Sequence, residues 1–142
     1  MNAEYAGEVR IDSEGDIVVT RRAVRTVATQ LGFGITDVTR IVTAASELAR
    51  NAFLYAGSGI VRWQALDTDG RVGIELTFED TGPGITDIEQ AMQEGFTTGG
   101  GLGIGLPGAK RLMDEIEVAS EVGKGTRVTA RKWHQRLGGR SL

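Results

Sequence analysis

The chain has 142 residues, a formal net charge of −3, one histidine, His134, and no cysteine. This length suits one domain with a single hydrophobic core. The lack of cysteine excludes disulfides and cysteine nucleophiles, and a lone histidine excludes a histidine cage for a metal and a Ser-His-Asp triad. The acidic balance does not favour nucleic-acid binding. No signal peptide or membrane-spanning run is apparent, so we predict a soluble cytoplasmic protein without a membrane or nucleic-acid partner.

The first part of the chain predicts a β-hairpin followed by two helices. Residues 8–12 and 16–20 read as two short strands joined by a glycine-containing turn. A helix ending at Gly32 is then predicted by apolar residues at helical spacing, namely Ala23, Val24, Val27, Ala28 and Leu31. A second amphipathic helix is predicted from Thr36 or Asp37 to Tyr55, because glycines follow it.

The second part predicts four strands and two short helices. Residues 60–66 and 72–79 alternate apolar and polar around an Asp-Gly turn, which indicates a hairpin. The remaining predicted elements are, in chain order, a helix at 86–94 opened by the capping box Thr86-Asp87-Ile88-Glu89, a helix at 107–114, and strands at 116–121 and 126–132.

The predicted order of elements is β-β-α-α-β-β-α-α-β-β. Strands joined by hairpins, with helices inserted in pairs, favour a two-layer α/β sandwich in which helices cover one face of a mixed, mostly antiparallel sheet. We expect a single domain over residues 1–142, with a frayed tail from about residue 134.

Two polar residues share one face of the second predicted helix. Glu47 and Asn51 are four residues apart and therefore lie one turn apart on the same side. Such a pair also fits an ordinary solvated helix face.

Two glycine-containing segments are candidates for ligand contacts. Asp80-Thr81-Gly82-Pro83-Gly84 follows a predicted strand, where a carboxylate could accept a hydrogen bond from the exocyclic amine of adenine; a plain turn is the alternative. Seven glycines lie between Gly95 and Gly108. Their unobstructed N–H groups, placed before a helix, suit a polyphosphate, although a flexible loop has the same composition. No Gly-Lys-Ser/Thr follows, so this is not a Walker A loop.

Taken together, these segments resemble the motifs of the GHKL ATPase/kinase superfamily. The matching residues are Glu47-x-x-x-Asn51, Asp80-x-Gly82-x-Gly84, Gly101-Leu-Gly-Ile-Gly105 and Gly125-Thr126. Within it, the chain is similar to the small anti-sigma regulatory serine/threonine kinases, and above all to RsbT-type switch kinases of stressosome pathways. The resemblance implies the Bergerat ATP-binding fold, with ATP and Mg²⁺ as cofactors.

The resemblance also implies roles for individual residues. Glu47 is the expected catalytic base, and Asn51 the expected Mg²⁺ ligand. Asp80 is expected to bind adenine. The other expected nucleotide-binding residues are Gly82, Gly84, Ile85 and Thr126 around the base, and Gly99, Gly100, Gly101, Leu102, Gly103, Ile104 and Gly105 around the phosphates.

The implied function is phosphorylation of STAS-domain partners, followed by release and activation of a PP2C-type phosphatase. Anti-sigma factors of the RsbW and SpoIIAB type usually carry a histidine soon after the magnesium asparagine, where this chain has Phe53-Leu54-Tyr55-Ala56. That difference favours the switch-kinase branch. Two alternatives stay open: an anti-sigma factor kinase that sequesters a sigma factor, and a nucleotide-gated binding module with little catalysis. A homodimer is also left open.

Overall fold

The computed structural model describes residues 5–85, Met92 and residues 105–135. Within these ranges the chain forms five strands and three helices. In chain order they are β1 (Gly7–Ile11), α1 (Glu14–Gln30), α2 (Ile35–Ala56), β2 (Gly59–Thr68), β3 (Arg71–Asp80), α3 (Gly105–Leu112), β4 (Glu115–Glu121) and β5 (Gly125–Gln135). None of the described helices is long and apolar enough to cross a membrane.

The described strands form one sheet with the order β1-β2-β3-β5-β4. Each neighbouring pair is antiparallel, in agreement with the predicted mostly antiparallel sheet. The predicted β2–β3 hairpin is confirmed, and its turn has positive φ at both Asp69 (52°) and Gly70 (76°). This backbone matches the twist of a two-residue hairpin and explains the Asp-Gly sequence.

The hydrophobic core lies between one face of the sheet and the helices. On β3 every second residue from Val72 to Phe78 is buried, as expected for a strand with one covered face. Helix α2 turns its apolar stripe to this face, including Ile41, Ala45 and Leu48. Its end is set by Gly57, which has φ of 80° and donates its N–H to the carbonyl of Phe53. The predicted two-layer α/β sandwich is thus confirmed.

The predicted strand at residues 16–20 is wrong, because these residues are the first turns of α1. Asp16 Oδ2 accepts hydrogen bonds from the backbone N–H of Asp12 (2.9 Å) and of Ser13 (3.1 Å), which fixes the start of the helix. These bonds hold the pKa of Asp16 below its usual value, the Asp12 amide being the largest cause. Strand β1 therefore pairs with β2 and not with residues 16–20.

The other predicted elements agree with the structure to within a few residues wherever it describes them. Helix α3 begins two residues before the predicted start at Pro107. Strand β5 extends to Gln135, so the first two residues of the predicted tail belong to a strand, and the rest of that tail lies outside the described residues. The predicted helix at 86–94 also lies outside them, apart from Met92.

Candidate functional site

Helix α2 presents the first candidate side chain, Glu47, at the boundary between core and solvent. Its carboxylate is 15% exposed, and Oε1 lies 3.3 Å from Nη1 of Arg50. Oε2 is buried and receives no hydrogen bond from the described part of the chain. A buried carboxylate oxygen without a donor is costly, so its retention points to a group that meets a ligand or substrate. Asn51 is half-buried one turn further along the same helix.

The second candidate, Asp80, is the last residue of β3. Its Oδ1 accepts a hydrogen bond from the N–H of Gly82 at 2.9 Å, so the turn that follows the strand orients the carboxylate. Within the described ranges Oδ2 accepts no hydrogen bond, which leaves it available as an acceptor. Asp80 pairs in register with Thr126 on β5, and both residues point to the helix side of the sheet.

Three glycines allow the backbone to close tightly around Asp80. A side chain at Gly82 would lie 2.6 Å from Cβ of Ala56, at the end of α2. A side chain at Gly84 would collide with the backbone of Glu121, and one at Gly125 would collide with the carbonyl oxygen of Asp80 itself. Gly84 and Gly125 also have positive φ, 79° and 109°. The structure thus brings the predicted Asp-Gly-Gly segment, the Gly-Thr pair and the end of α2 into one place.

The loop after Asp80 is attached to the β4–β5 hairpin by two hydrogen bonds. Gly123 donates its N–H to the carbonyl of Pro83 at 2.8 Å. Ile85 donates its N–H to Oγ of Ser120 at 2.7 Å, and this hydroxyl also lies 2.9 Å from Oγ1 of Thr126. Ile85 and Thr126, both predicted as nucleotide-binding residues, are therefore joined through Ser120.

The sequence alone did not identify two residues of this site, Ser120 and Arg50. A signal for Ser120 exists: Ile116 and Val118 alternate toward the core on β4, and Ser120 continues that face with a hydroxyl at the end of the strand. Arg50 has no comparable signal, because an arginine three residues after a glutamate is common on solvated helices.

Helix α3 begins at the end of the glycine-rich segment. Gly105, with φ of 62°, is its first residue, and Pro107, Gly108 and Ala109 are buried. The helix packs on α2. Its N-terminus carries the unpaired N–H groups that favour anions. Of the predicted phosphate-binding residues only Gly105 is described; Gly99, Gly100, Gly101, Leu102, Gly103 and Ile104 lie outside the described residues.

The side chains at this site fit a Mg²⁺ ion that the protein holds through few of its own groups. The described residues hold no group of three or more His, Cys, Asp or Glu side chains arranged for a metal ion. The amide oxygen of Asn51, one turn along α2 from Glu47, could serve as a protein ligand for Mg²⁺. Mg²⁺ commonly keeps several waters and binds through few protein groups together with substrate phosphates, so the residues fit an ion that arrives with a nucleotide.

Residues 36–136 match the family model of the histidine kinase-, DNA gyrase B- and HSP90-like ATPases. The chain belongs to this ATPase family. It is 53% identical over 125 residues to the serine/threonine-protein kinase RsbT of Bacillus subtilis, a match that covers 88% of this chain and 94% of that protein. It is 38% identical over 119 residues to the anti-sigma F factor of Caldanaerobacter subterraneus, covering 80% of this chain and 82% of that protein. The predicted superfamily and the predicted kinase class are confirmed by these matches.

Solved structures of ATPase domains share the fold. The crystal structure of the RsbU and RsbW domains of a Mycobacterium tuberculosis protein superimposes with a TM-score of 0.59 at 19% identity, covering 92% of this chain and 33% of that one. The mycobacterial sensor histidine kinase MprB gives a TM-score of 0.55 at 21% identity, covering 92% of this chain and all of that one. At this identity these likenesses establish the fold alone.

Proposed function

We propose that this ATPase-family protein is a cytoplasmic, Mg²⁺-dependent protein serine/threonine kinase that transfers the γ-phosphoryl group of ATP to STAS-domain partners. We also propose that phosphorylation releases the protein from these partners and that the released protein activates a PP2C-type phosphatase. The extensive identity to a named serine/threonine kinase supports the reaction class. The observation that carries the chemistry is Oε2 of Glu47, which is buried and receives no hydrogen bond from the described residues.

The proposed reaction needs a base beside the attacking hydroxyl. The serine or threonine oxygen of the partner forms a bond to the γ-phosphorus, the bond from that phosphorus to the bridging oxygen breaks, and ADP leaves. Glu47 Oε2 takes the proton of the hydroxyl, because it has a free acceptor position and sits on a rigid helix. Arg50 holds the other carboxylate oxygen and so limits its rotation.

The remaining residues bind and orient. Asp80, fixed by the Gly82 N–H, accepts from the exocyclic amine of adenine, and Gly82, Gly84 and Thr126 shape the space for the ring. Asn51 offers its amide oxygen to Mg²⁺, which neutralises phosphate charge when bound. The N-terminus of α3, with the glycines before it, receives the phosphates.

A second candidate function is sequestration of a sigma factor, and the anti-sigma F factor relatives favour it. The two functions share the nucleotide site and differ in partner. Leu54 and Tyr55, which are 52% and 41% exposed, stand where anti-sigma factors of this class usually have a histidine. Co-purification with a sigma factor from the same organism, rather than with a PP2C-type phosphatase, would select the second candidate.

Calorimetry of ATP binding, with and without MgCl₂, tests the site. We expect Asp80→Asn to weaken ATP binding by about tenfold, because an amide can turn its N–H₂ toward the amine of adenine. Asn51→Ala should remove the dependence on Mg²⁺. Asp69→Asn, at the opposite end of β3, is the matched control and should bind as the wild type does. Wild-type protein that binds no ATP would refute the proposal.

Phosphate transfer to a purified STAS-domain protein of the same organism tests the base. Glu47→Gln should keep ATP binding and lose roughly 10²- to 10⁴-fold in transfer rate. If transfer persists at the wild-type rate while ATP is bound, Glu47 is not the base. Wild-type protein that binds ATP and transfers no phosphate would instead support the binding-module alternative.

A further inference from the structure

The hydroxyl of Ser120 lies at the centre of the loop, strand and hairpin that surround Asp80. It makes three short contacts: with the N–H of Ile85 at 2.7 Å, with the carbonyl oxygen of Gly125 at 3.0 Å, and with Oγ1 of Thr126 at 2.9 Å. It is partly buried on the helix side of β4. The nucleotide contacts proposed above do not include Ser120.

Only one arrangement of protons makes all three contacts hydrogen bonds. A peptide N–H can only donate and a carbonyl oxygen can only accept, whereas a hydroxyl has one proton and two lone pairs. Ser120 must therefore accept from Ile85 and donate its single proton to Gly125. Its second lone pair is then left for Thr126, so the Thr126 hydroxyl is the donor in the contact between the two side chains.

This arrangement fixes what Thr126 can offer a ligand. Its only proton is directed to Ser120, so toward the space beside Asp80 it presents lone pairs alone. Asp80, its register partner on β3, is also an acceptor when ionised. Asp80 and Thr126 thus present two acceptors side by side, and a donor-bearing edge of a ligand is the one that matches them.

We propose that Ser120 is a specificity-determining positioning residue: by holding the Thr126 hydroxyl as an acceptor, it makes the pocket select a purine with an exocyclic amine over one with a carbonyl oxygen at the same position. This inference rests on the proposed nucleotide site. It adds a cause of selectivity that is distinct from the carboxylate of Asp80, since Ser120 acts only through Thr126 and need not touch the base.

The test compares ATP with inosine triphosphate, in which a carbonyl oxygen replaces the amine. Calorimetry with Mg²⁺ gives Kd for both nucleotides in the wild type, Ser120→Ala, Thr126→Val and the double variant. In Ser120→Ala the Thr126 proton is released and can turn toward the base. We expect the ratio of Kd for inosine triphosphate to Kd for ATP to fall by about fivefold, the size of one neutral hydrogen bond.

The matched control is Thr129→Val, which makes the same change on the opposite face of β5 and should leave the ratio unchanged. Because Ser120 acts through Thr126, the double variant should have the ratio of Thr126→Val alone. A merely structural role of Ser120 would weaken both nucleotides equally and leave the ratio as it is. Ser120→Cys keeps the side-chain volume, has a weaker acceptor, and replaces Ser120→Ala if the latter fails to unfold cooperatively.

The outcomes separate this inference from the proposed function. Wild-type protein that binds neither nucleotide refutes the nucleotide site itself. Wild-type protein that binds ATP through Asp80, together with an unchanged ratio in the Ser120 variant, overturns the role of Ser120 and leaves the site standing. A ratio that falls in Ser120→Ala, together with a double variant that has the same ratio as Thr126→Val alone, supports the proposal.

Discussion

Strand β3 carries carboxylates on both faces of the sheet, and the two faces treat them differently. On the outer face, away from the helices, Glu75 accepts hydrogen bonds from Gln64 at 2.8 Å and from Arg131 at 2.7 Å. Arg131 also lies 3.3 Å from Glu115 and from Glu117 on β4. The hydrogen bond to Glu75 is the largest cause of a raised pKa of the Arg131 guanidinium. Both oxygens of Glu75 therefore have donors from neighbouring strands.

On the helix side, carboxylates are left with open positions. Asp80 uses Oδ1 for its own turn, and Glu47 on α2 keeps a buried oxygen without a donor from the described residues. Around Asp80, backbone segments approach each other closely at glycines. The difference shows which acidic groups hold the sheet together and which remain available for a ligand.

The largest loss of stability is expected where two backbone segments are in close contact. A Cβ at Gly125 would collide with the carbonyl of Asp80, and the residue has φ of 109°. We expect Gly125→Ala to lower the free energy of unfolding by about 3 kcal/mol and to disturb the Asp80 turn. Urea unfolding measures this. Gly123→Ala is the control, since Gly123 has φ of 82° but open space around it, and should cost only about 1 kcal/mol.

Equal losses in the two glycine variants would mean that φ alone matters and that the close approach at Gly125 does not. In that case the contrast between a backbone-built pocket and a side-chain-built outer face would fail. A measurement of ATP binding further distinguishes the two variants, because only Gly125→Ala should reduce it.

The outer face predicts an intermediate effect. Glu75→Gln should lower the free energy of unfolding by about 1–2 kcal/mol, because the partly buried Arg131 loses a charged partner. Phosphate transfer should be unaffected. Glu47→Gln should do the reverse: transfer should fall, and the free energy of unfolding should stay equal or rise, because the change removes a charge whose buried oxygen has no donor among the described residues. Urea unfolding curves of both variants at the same pH show whether each change lowers or raises the free energy of unfolding.

If Glu47→Gln destabilised the protein as much as Glu75→Gln, Glu47 would be a structural residue, and its unpaired oxygen would not indicate a function.

The sequence predicted well those features that depend on local pattern. Helix α2 has a continuous apolar stripe and a glycine end, and the β2–β3 hairpin has alternation plus an Asp-Gly turn; both were predicted nearly to the residue. The positions of Glu47, Asn51 and Asp80 follow from those elements. The Ser120 connection could not be predicted, because it joins residues 35 positions apart through a single hydroxyl whose partners are set by register.

The failure at residues 16–20 has a specific cause. Val18 and Val19 suggest a strand by composition, yet both are exposed on α1, while Ile17, Thr20 and Val24 are buried at helical spacing. The decisive signal is Asp16, which accepts hydrogen bonds from the backbone amides of Asp12 and Ser13. A capping carboxylate directly before β-branched residues is easily read as part of a turn.

The smallest effect is expected at this cap, where one oxygen of an exposed carboxylate accepts two backbone hydrogen bonds. Because the folded chain lowers the pKa of Asp16 from its usual 3.8, ionised Asp16 stabilises the fold above that value, and the contribution is lost as the pH falls through the lower, folded pKa. Asp16→Asn should therefore lower the thermal midpoint by about 2–4 °C at pH 7, with the gap to wild type closing as the pH falls below 3.8. Asp12→Asn, which loses only an exposed ion pair with Arg10, should lower it less. A gap that stayed constant down to acidic pH would show that the geometry of the Asp16 cap, and not its charge, fixes the start of α1.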